Sequence, residues 1–244
     1  MLPNAVATTA AMVSSPLASA AKSLDLVGLS ASLAPVISMA VIFAPVPTIQ
    51  QVSKEKSVGN LPLLPYSSMV GNCFLWTVYG VLRKEPKVWV TNVIGLLSSI
   101  VYFAKFVKYA PPSAPSLPGS VKQHLSATLA LMATAVALVF SPLNDPAKIV
   151  GNMAVALCIS MFGSPLAALK TVLQTKTAKD IPLPFTLATV VNCLLWSVTG
   201  LFQMHDANIY VPNLIGLAFG LAQVTLKFIF GDAAPPEKGM AQML

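Results

Sequence analysis

Charge is scarce in this sequence: 9% of its 244 residues are Asp, Glu, Lys or Arg, while 55% are hydrophobic. Soluble domains carry about a quarter charged residues, so a water-exposed surface is excluded for most of the chain. There are three cysteines and two histidines, with no CxxC pair and no cysteine–histidine cluster, which argues against structural zinc. Cys73, Cys158 and Cys193 all lie in apolar stretches, where a thiol is a small packing residue rather than half of a disulfide. His124 and His205 fall at loop ends, and no convincing nucleophile–base pair accompanies them, so an enzyme is not expected. No metal, cofactor or nucleic-acid partner is implied; the net charge of +7 reflects where a few cations sit.

What the chain has is long apolar runs. Seven reach the roughly 17–25 residues that cross a hydrocarbon core: Leu26–Val52, Tyr66–Leu82, Val88–Lys108, Leu125–Leu143, Ile149–Leu173, Leu183–Gln203 and Ile209–Phe230. The twenty prolines do not forbid this, because neighbouring helices can satisfy the groups a proline frees. The expected fold is an all-α membrane protein of seven transmembrane helices. Every charged residue falls in a connection, at a segment end or in a tail; Lys227, near the last span's end, can reach the interface. Assigning connections to alternate sides puts Lys54, Lys56, Lys105, Lys108, Lys122, Lys170, Lys176, Lys179, Lys227 and Lys238 on one face. Lys22, Arg83, Lys84, Lys87 and Lys148 fall on the other. Ten against five makes the first face cytoplasmic, with the N-terminus outside and the C-terminus inside.

The segment Asn72-Cys73-Phe74-Leu75-Trp76-Thr77-Val78-Tyr79-Gly80 returns 120 residues later as Asn192-Cys193-Leu194-Leu195-Trp196-Ser197-Val198-Thr199-Gly200. Asn, Cys, Trp and Gly stay in register, which marks an internal duplication. Pro45 matches Pro165 and Lys56 matches Lys176 at the same offset; Asn92-Val93-Ile94-Gly95 matches Asn213-Leu214-Ile215-Gly216 at 121, so one residue is inserted in the loop before. Residues 26–109 and 146–230 thus form two three-span repeats, and the 110–145 stretch supplies a linker loop and linker helix. Three is odd, so the extra span makes the repeats parallel rather than inverted, a 3+1+3 arrangement. Residues 1–24 read as a disordered tail or a leader, Pro111–Gly119 as a Pro/Ser-rich linker, and 231–244 as a polar tail.

Asn72 and Trp76 are four apart and share one helix face; Asn192 and Trp196 repeat the arrangement. Asn92 and Asn213 add one amide from the third span of each repeat. Amides offer donors and an acceptor, and an indole offers an apolar face with a free N–H. Four amides and two indoles in pseudo-twofold array suit one uncharged polyol. A lone membrane Asn serves equally as interhelical glue, worth about 1 kcal/mol; the duplicated set favours a site. No Asp, Glu, His, Lys or Arg falls near a bilayer midplane. Proton-driven carriers keep such a group there, so the expectation is a uniporter. A proton-coupled PQ-loop carrier of an amino acid or other small metabolite shares the seven-span layout but calls for a buried carboxylate. A seven-helix receptor would not require a duplicated interior site, and a scaffold gives no reason for the paired indoles. A retinal protein needs a mid-helix lysine with a counter-ion, whereas Lys227 sits near a terminus and shows none.

The pieces Ala44-Pro45-Val46-Pro47-Thr48, Leu64-Pro65-Tyr66, Ser164-Pro165-Leu166, Thr175-Lys176-Thr177 and Val211-Pro212-Asn213-Leu214-Ile215-Gly216 resemble, in order and spacing, those of the SWEET family of sugar facilitators. Members of that family are a known instance of two parallel repeats. The resemblance implies bidirectional sugar transport by alternating access, the same six Asn and Trp positions as the site, and homo-oligomers in the plasma membrane, with an organellar membrane as the alternative. It further implies pocket-wall roles for Ser38, Val41, Cys158 and Met161, and helix bends at Pro45, Pro65, Pro165 and Pro182. Pro62 and Pro184 lie close by, and Pro65 and Pro182 are read equally well as ends of helices. Tyr79 is implied in an outer gate, but His205 occupies the position where an acidic partner is expected and Asp206 follows it. Asn at both 72 and 192, where relatives sometimes carry a smaller residue, narrows the pocket and favours a monosaccharide such as glucose.

Overall fold

The structure, a computed structural model, describes residues 25–111 and 119–232. The tail or leader read over 1–24, most of the Pro/Ser linker and the tail from 233 lie outside the described residues. Among those described there is no strand. The helices are α1 (Leu26–Phe43), α2 (Val46–Glu55), α3 (Leu64–Leu82), α4 (Pro86–Tyr109), α5 (Val121–Val139), α6 (Pro146–Met161), α7 (Gly163–Thr175), α8 (Leu183–Val198) and α9 (Ala207–Phe230); a π-helical turn, Thr199–Gln203, extends α8. α1 and α2 form one 30-residue unit broken at Ala44–Pro45, and α6 and α7 form another broken at Phe162.

Six of the seven units are long and apolar enough to cross a membrane. The seventh, α3, has 19 residues, about 28 Å at 1.5 Å per residue. Its Ser67, Asn72, Thr77 and two tyrosines lower its hydropathy. It tolerates them because α4, α5 and α6 all pack against it, leaving little of it to meet lipid.

The helix ends follow from local chemistry. Ser120 and Gln123 form a reciprocal capping box, so α5 begins four residues before the apolar run at Leu125. Asp145 and Asp206 cap α6 and α9 through their carboxylates, and prolines occupy the first turns of α3, α4, α6 and α8, where the missing N–H costs nothing.

Six helices close into a ring in the order α1–α4–α3–α6–α9–α8, and back to α1. Within each repeat the third helix sits between the first and second. Across the repeats, each first helix meets the other repeat's second helix, α1 against α8 and α6 against α3. The linker helix α5 lies outside the ring on α3 and α6. The duplication is visible in the backbone itself: the described non-glycine residues at positive φ are Lys56 with Lys176 and Lys84 with His205, two repeat-related pairs. A close approach is also duplicated. A Cβ on Gly80 would lie 2.7 Å from the Trp89 backbone nitrogen, and one on Gly200 2.9 Å from that of Tyr210.

Candidate binding cavity between the repeats

The ring encloses a cavity of about 630 Å³. Asn72, Trp76, Asn92, Asn192, Trp196 and Asn213 line it, and so do Ser38, Val41, Cys158 and Met161. The ring order explains this, since second and third helices of both repeats turn one face inward and α1 and α6 fill the seams. The four amides are half-buried and the two indoles nearly fully buried.

The hydrogen bonds assign each polar group a direction. Trp76 Nε1–H donates to Asn72 Oδ1 at 3.2 Å, one turn back on its own helix. Trp196 Nε1–H donates instead to Ser38 Oγ at 2.9 Å, and that oxygen lies 2.7 Å from Asn192 Oδ1. Both indole N–H groups are therefore engaged within the protein, which corrects the expectation that they are free for a ligand. Asn92 donates one N–H to Val88 O (2.9 Å) and Asn213 one to Ile209 O (2.7 Å). The amides of Asn72 and Asn192 thus keep both N–H groups for a ligand, whereas Asn92 and Asn213 offer a carbonyl oxygen and one N–H each. The cavity is rich in donors and walled by apolar indole faces.

At one end the cavity stops on the indoles. Tyr79 stands edge-on to Trp76, with ring centroids 5.5 Å apart, and is not part of the cavity wall. Its hydroxyl donates to Asp206 Oδ2 at 2.5 Å, while Asn208 N–H bonds Asp206 Oδ1 at 3.0 Å. The Arg83 guanidinium lies 5.7 Å from the Tyr79 ring centroid and pairs with Asp145 at 3.1 Å. The Lys148 backbone N–H, with Arg83 beside it, holds the Asp145 carboxyl below the usual carboxylate range. Asp206, not His205, meets Tyr79, and the reason is the π-helical turn. Met204 N–H reaches Thr199 O and Asp206 N–H reaches Gly200 O, each one residue further than Arg83 to Tyr79 and Glu85 to Gly80 in the first repeat. The inserted residue is absorbed there, at the end of a helix, so Asp206 takes the register of Glu85.

The other end extends past Pro45, Pro65, Pro165 and Pro182 to the exposed Asp180. Pro45 stands at the break between α1 and α2, and Pro165 three residues beyond the break at Phe162. Pro65 and Pro182 do not bend a helix: Pro65 is the second residue of α3 and Pro182 the N-cap of α8. The two breaks differ. Tyr102 Oη–H donates to Ile42 O at 3.2 Å, a carbonyl that an unbroken helix would bond to the Val46 N–H. The matching carbonyl of Phe162 keeps a backbone partner, Leu166 N–H at 3.0 Å. Tyr102→Phe is expected to leave Ile42 O without its buried donor and to cost about 1–3 kcal/mol, read as a lower midpoint of thermal unfolding of the purified protein.

Several lining residues escaped sequence reasoning. Met69 and Thr189 lie one turn before Asn72 and Asn192 and are themselves 120 apart, so the offset together with helical spacing would have found them. Gln223, also in the wall, is the counterpart of Tyr102 and carried no signal. His124 is not at a loop end but in the first turn of α5, buried, with Nδ1 2.8 Å from Ser67 Oγ. Lys227, noted as lacking a counter-ion, donates to Ala178 O at 2.9 Å and pairs with Asp232 at the end of α9.

The family model described as "Sugar efflux transporter for intercellular exchange" matches residues 27–114 and again residues 148–233. The chain belongs to the SWEET family. The bidirectional sugar transporter SWEET17 of Arabidopsis thaliana is 33% identical over 202 residues, covering 82% of this chain and 83% of that one. The bidirectional sugar transporter SWEET15 of Oryza sativa subsp. indica is 29% identical over 200 residues, and the match spans 62% of its length. A solved eukaryotic SWEET transporter superposes with a TM-score of 0.74 at 26% identity, over 84% of this chain and 96% of that one. The two separate matches of one family model fall on the two halves of the helical ring, so this SWEET-family chain carries its duplication in sequence and in fold alike.

Proposed function

We propose that the protein is a facilitative carrier of a small neutral sugar, working by alternating access between its two three-helix repeats. The observation that carries this is the donor-rich cavity of four amides and two indole faces between the halves. Sugar hydroxyls each accept more hydrogen bonds than they donate, which matches walls that offer more N–H than C=O groups. Relatives named as bidirectional sugar transporters support the same substrate class. Asn at both 72 and 192 favours a monosaccharide such as glucose. An ammonium group of an amino acid would need several acceptors or a carboxylate, and the one carboxylate in the cavity wall among the described residues, Asp180, sits exposed at the mouth. Among the described residues the cavity wall offers no other carboxylate and no Lys, Arg or His to couple flux to protons, which supports uniport.

The charge bias supports a cytoplasmic mouth at Asp180 and an outer end closed by Tyr79 and Asp206; the plasma membrane is the location the family resemblance implies. The breaks at Pro45 and Phe162 are where the long first helices bend as one repeat rocks on the other. Each chain encloses a whole cavity, so association into homo-oligomers would add no residue to the pathway.

The test is uptake of labelled glucose and sucrose into proteoliposomes, with and without an imposed pH gradient. Saturable glucose entry that stops at equal concentrations and ignores the gradient is expected. Accumulation above the outside level would refute uniport, and no flux of either sugar would refute the carrier reading.

A further inference from the structure

The two half-sites are duplicated in sequence but not in bonding, and the difference passes through one hydroxyl. In the first repeat the Asn–Trp pair is self-contained: Trp76 Nε1–H bonds Asn72 Oδ1 within α3. In the second repeat Ser38, from α1 of the other repeat, stands between the two partners. Its oxygen accepts from Trp196 Nε1 at 2.9 Å, and its hydroxyl proton faces Asn192 Oδ1 at 2.7 Å and Ala34 O at 2.8 Å. A hydroxyl has a single proton, so only one of those two acceptors is served at a time, and the shorter is the amide. The counterpart of Ser38 at the repeat offset is Cys158, and a thiol is a weak donor and a weak acceptor. The α1–α8 seam is therefore pinned at the level of the cavity by a buried Trp–Ser–Asn relay, whereas on the α3–α6 side Asn72 and Trp76 satisfy one another without help from α6.

We infer that Ser38 is a positioning residue that fixes Trp196 and Asn192 from the opposite repeat and so makes the second half-site the rigid one against which a ligand is oriented. The inference rests on the reading of this cavity as the sugar site. Holding Asn192 by its carbonyl turns both of its N–H groups toward the cavity. Without Ser38 the Asn192 carbonyl and the Trp196 N–H lose their common partner. The amide is then free to rotate, or to bond Trp196 directly as Asn72 bonds Trp76. Ordering it again on binding weakens affinity. The expected signature is a change in apparent affinity larger than any change in maximal rate, because the lost interaction precedes ligand binding.

The experiment is the concentration dependence of labelled glucose uptake into proteoliposomes for the wild type, Ser38→Ala, Ser38→Cys, Ser38→Thr and Asn92→Ala. It is paired with the indole Nε1–H signals of the 15N-labelled protein, which has three tryptophans. Ser38→Ala and Ser38→Cys are expected to raise KM about tenfold, more than they lower the maximal rate, and to move the Trp196 indole signal while leaving that of Trp89 in place. Ser38→Thr, which keeps the oxygen, is expected to return KM toward the wild-type value. Should Ser38→Ala fail to fold, Ser38→Cys, close to serine in size and the natural residue at the matching position, carries the test. A wild-type KM in either variant while Asn92→Ala is inactive would overturn the role of Ser38 alone. Normal uptake by Asn92→Ala would instead overturn the site, and this inference with it.

Discussion

Replacing Asn92 or Asn213 with alanine is expected to reduce sugar transport to about a hundredth of the wild-type rate or less at subsaturating substrate, with the protein still folded and inserted. Each side chain spends one N–H on its own helix, to Val88 O or Ile209 O, and that bond orients the rest of the amide into the cavity. What remains for a sugar is a carbonyl oxygen and one N–H, two hydrogen bonds in a cavity walled by indole. At about 1–1.5 kcal/mol each, losing both amounts to roughly two orders of magnitude in binding. The fold should survive, because Val88 O and Ile209 O are helix carbonyls whose backbone partners are separate from the amide. Asn152, exposed on α6, is the matched control, and its alanine variant should transport normally. Wild-type flux in both Asn92→Ala and Asn213→Ala would remove the proposed site.

Gly151→Ala is expected to abolish net transport by a different route, with sugar binding retained. A Cβ at this position would fall 2.5 Å from Tyr79 Cε2 and 2.2 Å from Asn208 Nδ2, where no real Cβ fits. Both groups belong to the closed end, and Tyr79 is fully buried against the Trp76 ring. Asn208 can swing its amide away but the Tyr79 ring has to be displaced, and a displaced ring loses Asp206 and props that end open. The neighbouring glycines show why this effect belongs to the gate. At Gly71 the added Cβ would meet Leu131 Cδ2 at 2.8 Å, the far end of a flexible side chain, and alanine there should be tolerated. At Gly80 it would meet the Trp89 backbone at 2.7 Å, and alanine there should prevent the α3–α4 pair from forming. The measurement is labelling of the native Cys158, in the cavity wall, by a membrane-impermeant thiol reagent added outside, with glucose binding to purified protein measured in parallel. Rapid labelling with binding intact is expected in Gly151→Ala and slow labelling in the wild type. Equal labelling, or normal net transport, would refute the wedge.

Much of this molecule is local and was therefore legible in the chain. The crossing segments follow from runs of apolar residues, and their ends from Ser120, Asp145, Asp206 and the first-turn prolines, each acting within four residues of itself. That Asn72 and Trp76 share a helix face follows from helical spacing alone; that the indole N–H bonds the amide does not, since Asn192 and Trp196 at the same spacing are bridged by Ser38. The duplication needed only a comparison of the chain with itself, and it led from one set of cavity-lining residues to the other. It misled where the halves differ. An offset that changes from 120 to 121 looks like a longer loop, but the structure hides the extra residue in a π-helical turn, and that decides which of His205 and Asp206 faces Tyr79.

By itself, then, the sequence determined the seven apolar units, their duplication, the polar set that faces the cavity and the placing of charge at segment ends. All of these depend on spacing along one helix or on the cost of placing charge in an apolar medium. Only the tertiary structure decided which donor meets which acceptor. Both indole N–H groups are consumed internally, Ser38 reaches across from the opposite repeat, Tyr102 steadies the first break but has no equivalent at the second, and Tyr79 closes one end through Asp206. Except for the Trp76–Asn72 bond, each of these joins residues far apart in the chain. The ring order α1–α4–α3–α6–α9–α8 brings them together, and that order comes from how the helices pack, which no single stretch of the chain encodes.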